Sequence, residues 1–239
     1  MTNTLFGALQ TAINSSFNLL FPVLCPACNE PMTSPKNSLC LQCELDLPRT
    51  NHFTLQNNIF FKEFELGQTF QSASALFYFN RKTKVQHLIH QFKYHNKPEL
   101  AVSMGELLGI EIKKCAHLQN VKAIIPVPMH PKKLRERGYN QAELIAKGMA
   151  NILNLTIETK VVKKIVETKS QTHRSRDERK SILINTFECT YQKHLENVEV
   201  IVVDDVSTTG ATLEAVGDCI LQNNPKVLLH CVALSYTAI

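Results

Sequence analysis

From residue 72 onward the chain alternates short apolar runs with longer stretches whose apolar residues recur every three or four positions. The short runs fit buried strands and the longer ones amphipathic helices. The pattern predicts a strand at 75–79, helices at 85–92 and from 99 to about 114, and a buried strand at 121–126. A helix follows at 140–153, where Leu144, Ile145, Met149, Ile152 and Leu153 fall at helical spacing. A strand is expected at 157–166 and a continuous apolar strand at 198–203, and a helix at 213–222 and a strand at 227–234 close the chain. Strands separated by helices at this spacing imply an α/β fold, a mostly parallel sheet with helices on both faces.

The first 70 residues follow a different pattern. Residues 5–24 are moderately apolar, but Gln10, Thr11, Asn14, Ser15, Ser16 and Asn18 interrupt them and no Lys or Arg precedes them. An export signal or membrane span is therefore not expected; an amphipathic helix and a cytoplasmic protein are. Residues 44–70, rich in Asn, Gln and Phe, look like a connector. The expected division is an N-terminal module at 1–50, a connector at 51–70 and an α/β domain at 71–239. With 239 residues, 44% of them hydrophobic, the chain can bury one full α/β core with a smaller module attached.

Charge is unevenly distributed. Residues 122–180 carry 14 Lys and Arg against 6 Asp and Glu, whereas 181–239 carry 2 against 7. The middle of the chain therefore faces anions, and the charge alone does not choose among phosphate, pyrophosphate and nucleic acid.

Two motifs narrow that choice. The first is Val200-Ile-Val-Val-Asp204-Asp205-Val-Ser207-Thr208-Thr209-Gly210-Ala211-Thr212, joining the apolar strand to the last helix. Ligands of open α/β sheets sit beyond the carboxyl ends of strands, where the next helix offers free N–H groups to an anion. Ser207, Thr208, Thr209 and Thr212 add hydroxyls, Gly210, followed by Ala211, lets the backbone approach without a Cβ in the way, and Asp204 and Asp205 can accept hydrogen bonds from a sugar diol. A plain helix cap needs one such residue, and this loop supplies six within the seven positions 204–210. The chain has neither a Walker lysine after the glycine nor GxGxxG.

The second motif is Cys25-Pro-Ala-Cys28 and Cys40-Leu-Gln-Cys43, two CxxC pairs eleven residues apart, which can close four thiolates around one tetrahedral zinc. Disulfides or unligated thiols are the alternatives, and a site with no open position is structural rather than catalytic. Cys115, Cys189, Cys219 and Cys231 read as core or surface residues. His87 and His90 share a helical face but have no matching ligand pair.

After the 121–126 strand runs Met129-His130-Pro131-Lys132-Lys133-Leu134-Arg135-Glu136-Arg137-Gly138-Tyr139-Asn140-Gln141. If that strand neighbours the one before the Asp pair, Lys132, Lys133, Arg135, Arg137, Asn140 and Gln141 lie where pyrophosphate or a DNA phosphate would sit.

The loop at 200–212 resembles the phosphoribosyl-pyrophosphate (PRPP) motif of type I phosphoribosyltransferases. That resemblance implies that Asp204 and Asp205 hold ribose hydroxyls and serve catalysis, that 207–212 hold the 5-phosphate, and that magnesium binds with PRPP. Purine-salvage members often place Asp where Thr208 stands, so a purine acceptor is not expected. With the CxxC pairs and Arg137-Gly-Tyr-Asn-Gln141, residues 21–235 resemble the ComF family of competence and DNA-utilisation proteins. By position Gln171 and Arg179 match a mobile loop that closes over PRPP, although Ile182 stands where relatives have Asn. The resemblance implies a protein that handles incoming single-stranded DNA in natural transformation. It also implies structural zinc, PRPP or a related ribose 5-phosphate as ligand, a ComFA-type translocase as partner and a place at the inner face of the cytoplasmic membrane. Tyr94, His95 and Tyr139 are candidates for stacking on bases. An active phosphoribosyltransferase with an unidentified acceptor, or a PRPP-gated regulator, are the competing readings.

Overall fold

A computed structural model describes residues 22–32, 39–64, 69–167, 183 and 185–238, and its chain forms two compact units, Met1–Leu47 and Pro48–Ile239. The expected helix at 5–24 lies outside the described residues except for its last three positions. In the first unit Leu24 and Pro31 form an antiparallel bridge around the Cys25–Cys28 turn, and helix α1 (Leu41–Asp46) starts at Cys40, whose sulfur accepts the Cys43 N–H.

The second unit opens with helix α2 (Ile59–Lys62), started by Asn58, whose side-chain oxygen accepts the Phe60 and Phe61 N–H groups at 3.0 Å. Strand β1 (Ser72–Tyr78) follows, then helices α3 (Lys84–Tyr94) and α4 (Pro98–Lys114), strand β2 (Val121–Pro126) and helices α5 (Pro131–Arg137) and α6 (Gln141–Leu153). Strands β3 (Thr156–Ile157), β4 (Val162–Lys164), β5 (Phe187–Cys189) and β6 (Glu199–Ser207), helix α7 (Ala211–Asn223) and strand β7 (Leu228–Tyr236) complete it. Five strands form one parallel sheet in the order β1-β7-β6-β2-β3. Val200, Ile201, Val202 and Val203 of central β6 are fully buried, as expected of a parallel strand covered on both faces. Helices α4 and α6 pack closely because Gly105 and Gly148 face each other's helix; a Cβ at either would overlap the opposite backbone.

Three expectations change. The strand expected at 157–166 is two strands. The chain follows β2 only as far as Glu158, whose N–H reaches the Ile124 carbonyl, then leaves the sheet, and β4 pairs antiparallel with β5 in a separate two-stranded sheet. The Phe-rich stretch taken as a connector contributes Phe60, Phe64 and Phe70 to the main core, so its aromatics are packing groups. Cys189 and Cys219, read as core or surface residues, are joined in a disulfide between β5 and α7, while Cys115 and Cys231 are buried.

Candidate phosphoribosyl site

The chain order places a crevice. From β2 the chain moves outward to β3, and from β6 it moves the opposite way to β7, so the sheet reverses direction between β2 and β6. Ligands of open α/β sheets bind at such a reversal, beyond the carboxyl ends of the strands. β2 and β6 pair in parallel with Pro126 opposite Val203, which puts the Asp pair and the basic segment side by side at that end.

On the β6 side the strand runs through Ser207, and Gly210, in the left-handed region at φ +70°, starts α7. The cap residue brings no side-chain hydrogen bond, and the N–H groups at such a helix start suit an anion. The Ser207 hydroxyl is buried and without a partner among the described residues. A buried polar group left unpaired costs free energy, and a phosphate oxygen would satisfy it. Thr208 is exposed, while Thr209 and Thr212 are half-buried.

The two carboxylates have different surroundings, because successive residues of a strand face opposite sides. Asp205 is 8% exposed and its Oδ2 lies 2.7 Å from Lys93 Nζ on α3. Asp204 is half-buried and its Oδ1 accepts the Asp205 N–H at 2.8 Å. Burial and the Asp205 charge push the Asp204 carboxyl up to about 7, against the Asp205 N–H and the Lys93 and Lys164 ammonium groups. Lys164 on β4 is itself lowered by burial and by Lys133, and raised by Asp204. Both Lys93 and Lys164 belong to the site electrostatically, and neither was singled out from the sequence. Both lie N-terminal to the loop, Lys164 36 residues and Lys93 107 residues before Val200, and only the fold brings them to it.

The basic run forms a short helix. His130 caps α5 and Gly138 ends it in the left-handed conformation. Lys132 meets Glu167 at 3.2 Å, Lys133 lies in the field of Lys164, and Arg135 is exposed. Asn140 and Gln141, expected to contact an anion, are both buried. The Asn140 amide donates to the Val127 carbonyl at 3.0 Å and to Glu143 at 3.2 Å, and its oxygen caps α6 at Ala142. The Gln141 oxygen accepts from Arg137 at 2.5 Å. Of the stacking candidates, Tyr139 is partly buried and donates its hydroxyl to the Phe92 carbonyl at 2.6 Å. Tyr94 is 66% exposed and lies 5.5 Å from the Arg137 guanidinium, and His95 is exposed. Gln171, Arg179 and Ile182 lie outside the described residues.

In the first unit the sulfurs of Cys25, Cys28, Cys40 and Cys43 lie within 4.8 Å of one another, an arrangement that can hold a metal ion. Burial raises the Cys25 thiol, but the N–H groups of Cys40, Ala27 and Cys28 outweigh it and bring it down to about 7. Burial and the neighbouring cysteines raise Cys43. Such a spread within one cluster fits thiols that compete for charge until a cation is present. No helix among the described residues is long and apolar enough to cross a membrane.

Comparison with known proteins agrees with this geometry. Residues 140–237 match the phosphoribosyl transferase domain family. The DNA utilization protein YhgH of Salmonella typhimurium is 29% identical over 139 residues, 57% of this chain and 60% of that protein. Competence protein F of Haemophilus influenzae is 32% identical over 133 residues, covering 54% and 58%. The chain thus spans about 60% of the length of these two relatives. Competence protein ComFC of Bacillus subtilis is 22% identical over 199 residues, 83% of this chain and 72% of its own. Among solved structures, adenine phosphoribosyltransferase from Saccharomyces cerevisiae covers 59% of this chain and 71% of its own at a TM-score of 0.39 and 15% identity, too distant to add to the topology described.

Proposed function

We propose that this chain, a homologue of the competence F, ComFC and DNA utilization proteins with a phosphoribosyl transferase domain, handles incoming single-stranded DNA during natural transformation on a scaffold that binds Mg-PRPP. The observation that carries the ligand half of this reading is the loop after β6. An uncapped helix start, an orphaned Ser207 hydroxyl and two carboxylates lie together at the reversal of the sheet. That donor set fits a 5-phosphate, and the carboxylates fit the ribose diol beside it. Magnesium, when bound with the pyrophosphate, supplies positive charge that neutralises it. Lys132, Lys133, Arg135 and Arg137 supply protein charge on the β2 side. The four cysteines of the first unit are assigned to structural zinc, a closed site suited to thiolates.

For DNA, the support is the exposed Tyr94 beside Arg137, an aromatic face next to a cation, together with the names of the relatives. A ComFA-type translocase is the proposed partner, at the inner face of the cytoplasmic membrane. The test is a deletion in a transformable host: lost transformation with DNA uptake into the periplasm retained is expected, and normal transformation would sink the proposal. In vitro, single-stranded DNA affinity over a salt series, with and without Mg-PRPP, shows whether the two ligands compete.

A second reading, an active phosphoribosyltransferase with an unidentified acceptor, is favoured by the enclosed Asp204 and Asp205. Their carboxylates would face the ribose and stabilise positive charge developing there as pyrophosphate leaves towards Arg135 and Arg137. Labelled PRPP incubated with magnesium and cell metabolites should then release pyrophosphate, and release unchanged by Asp204→Ala would count against it.

A further inference from the structure

The last turn of α3 is tied to the candidate site at three successive residues. The Phe92 carbonyl accepts the Tyr139 hydroxyl at 2.6 Å, Lys93 Nζ meets Asp205 Oδ2 at 2.7 Å, and the Tyr94 ring lies 5.5 Å from the Arg137 guanidinium. Two of these contacts run to the Arg-Gly-Tyr-Asn-Gln segment and one to the Asp pair, so this turn links both halves of the crevice. The central contact is also enclosed, with the Lys93 and Asp205 side chains 20% and 11% exposed.

We propose that Lys93 is a positioning residue of the phosphoribosyl site, holding the Asp205 carboxylate by one oxygen so that the other is presented to a ribose hydroxyl. The inference rests on the phosphoribosyl reading of the loop and adds a residue that lies outside both sequence motifs. Its physical basis is the cost of an enclosed carboxylate without a counter-charge, which rotates away or takes up a proton. The Ser235 hydroxyl holds only the Asp205 backbone carbonyl, at 3.2 Å, and leaves the side chain to be fixed by Lys93. Among the described residues, the other titratable groups around the pair include Asp204 on the same strand, His90 on α3, Lys164 on β4 and, beyond it, Lys133 on α5. Lys93 holds the ion pair with Asp205, whereas the Lys164 ammonium sits 5.4 Å from the Phe187 ring.

The experiment is calorimetric titration of Mg-PRPP into wild type, Lys93→Met and Lys93→Arg, repeated in an Asp205→Asn background. Lys93→Met is expected to weaken binding about tenfold, the loss typical when a group that orients a binding side chain is removed. Lys93→Arg should restore most of it, and in the Asp205→Asn background Lys93→Met should cost nothing further. Unchanged or tighter binding by Lys93→Met, or the same loss with and without the Asp205 carboxylate, would overturn the assignment. If Lys93→Met does not fold, Lys93→Gln makes the same comparison. If wild type fails to bind Mg-PRPP, the phosphoribosyl reading falls. The Lys93 contact is then judged by the carboxyl carbon NMR signal of Asp205 in the unliganded protein. That signal must move in Lys93→Met and return in Lys93→Arg, and a signal that does not move refutes the contact as well.

Discussion

Gly210 offers a quantitative test of the loop geometry. It starts α7 at φ +70°, a conformation that costs an L-residue about 1–2 kcal/mol. A Cβ there would sit 2.7 and 2.8 Å from Phe64 Cζ and Cε1, well inside the roughly 3.5–4.0 Å of a relaxed carbon contact. Phe64 cannot easily give way. It is 1% exposed and packed edge-on against Phe60 and Phe70 with ring centroids 5.4 and 5.1 Å away. Overpacking of that kind costs about 1–3 kcal/mol, so Gly210→Ala should lose about 2–5 kcal/mol in all. Gly138 is the control, since it has φ +88° but nothing within 4 Å of an added Cβ. Gly138→Ala should therefore lose only the conformational part, about 1–2 kcal/mol. Urea unfolding followed by circular dichroism measures both losses, and Phe64→Leu combined with Gly210→Ala should recover part of the difference. Equal losses at the two glycines would refute the claim that Phe64 shapes the phosphate loop.

Asp204 should make stability fall as pH rises. Burial and the Asp205 charge push its folded carboxyl up to about 7 from the ordinary 3.8, so between roughly pH 4 and 7 the unfolded chain has released a proton that the folded chain keeps. Asp204→Asn should therefore gain stability relative to wild type at pH 8 compared with pH 4.5, and a difference independent of pH would remove Asp204 as its source. Asn140→Ala leaves the Ala142 N–H uncapped and the Val127 carbonyl unpaired, and should cost about 1–2 kcal/mol by urea midpoint; a loss below about 0.5 kcal/mol would show that the cap is dispensable. Strong chelation should release one zinc per chain as Cys25, Cys28, Cys40 and Cys43 become reactive to a thiol reagent, and four reactive thiols without metal release would contradict the zinc assignment.

What could be read from the sequence follows from how local each signal is. The β6 strand, its acid pair and the Ser/Thr/Gly loop are contiguous, and so are the CxxC pairs, so one stretch of chain contains each pattern whole. Lys93 and Lys164 could not be found that way, because nothing near them in sequence indicates an acidic partner on β6. Phe60, Phe64 and Phe70 were hidden by the polar residues between them, which suggested a spacer although the aromatics are buried. Residues 157–166 look uniformly strand-like, and only the geometry of the sheet edge decides that β3 stops after two residues. Asn140 and Gln141 illustrate a further limit. Their position in a basic run marks the site, but helix capping and burial determine what their atoms do there.

The positive charge that the described residues place around the crevice divides between two tasks, and salt dependence can separate them. The Lys164 ammonium lies 5.4 Å from the Phe187 ring, within the fields of Asp204 and Lys133. Lys132, with its side chain 55% exposed, and the exposed Arg135 remain at the solvent face of α5. A single-stranded nucleic acid gains about 0.7 in the slope of log affinity against log salt for each phosphate neutralised. Removing Lys132 and Arg135 together should thus lower that slope by about 1.4. Lys164→Met should leave the slope unchanged while weakening Mg-PRPP, because its charge acts on Asp204 rather than on solvent. If Lys164→Met flattens the slope and the α5 double variant does not, DNA runs through the acid pocket itself, and the division of charge proposed for the crevice is wrong.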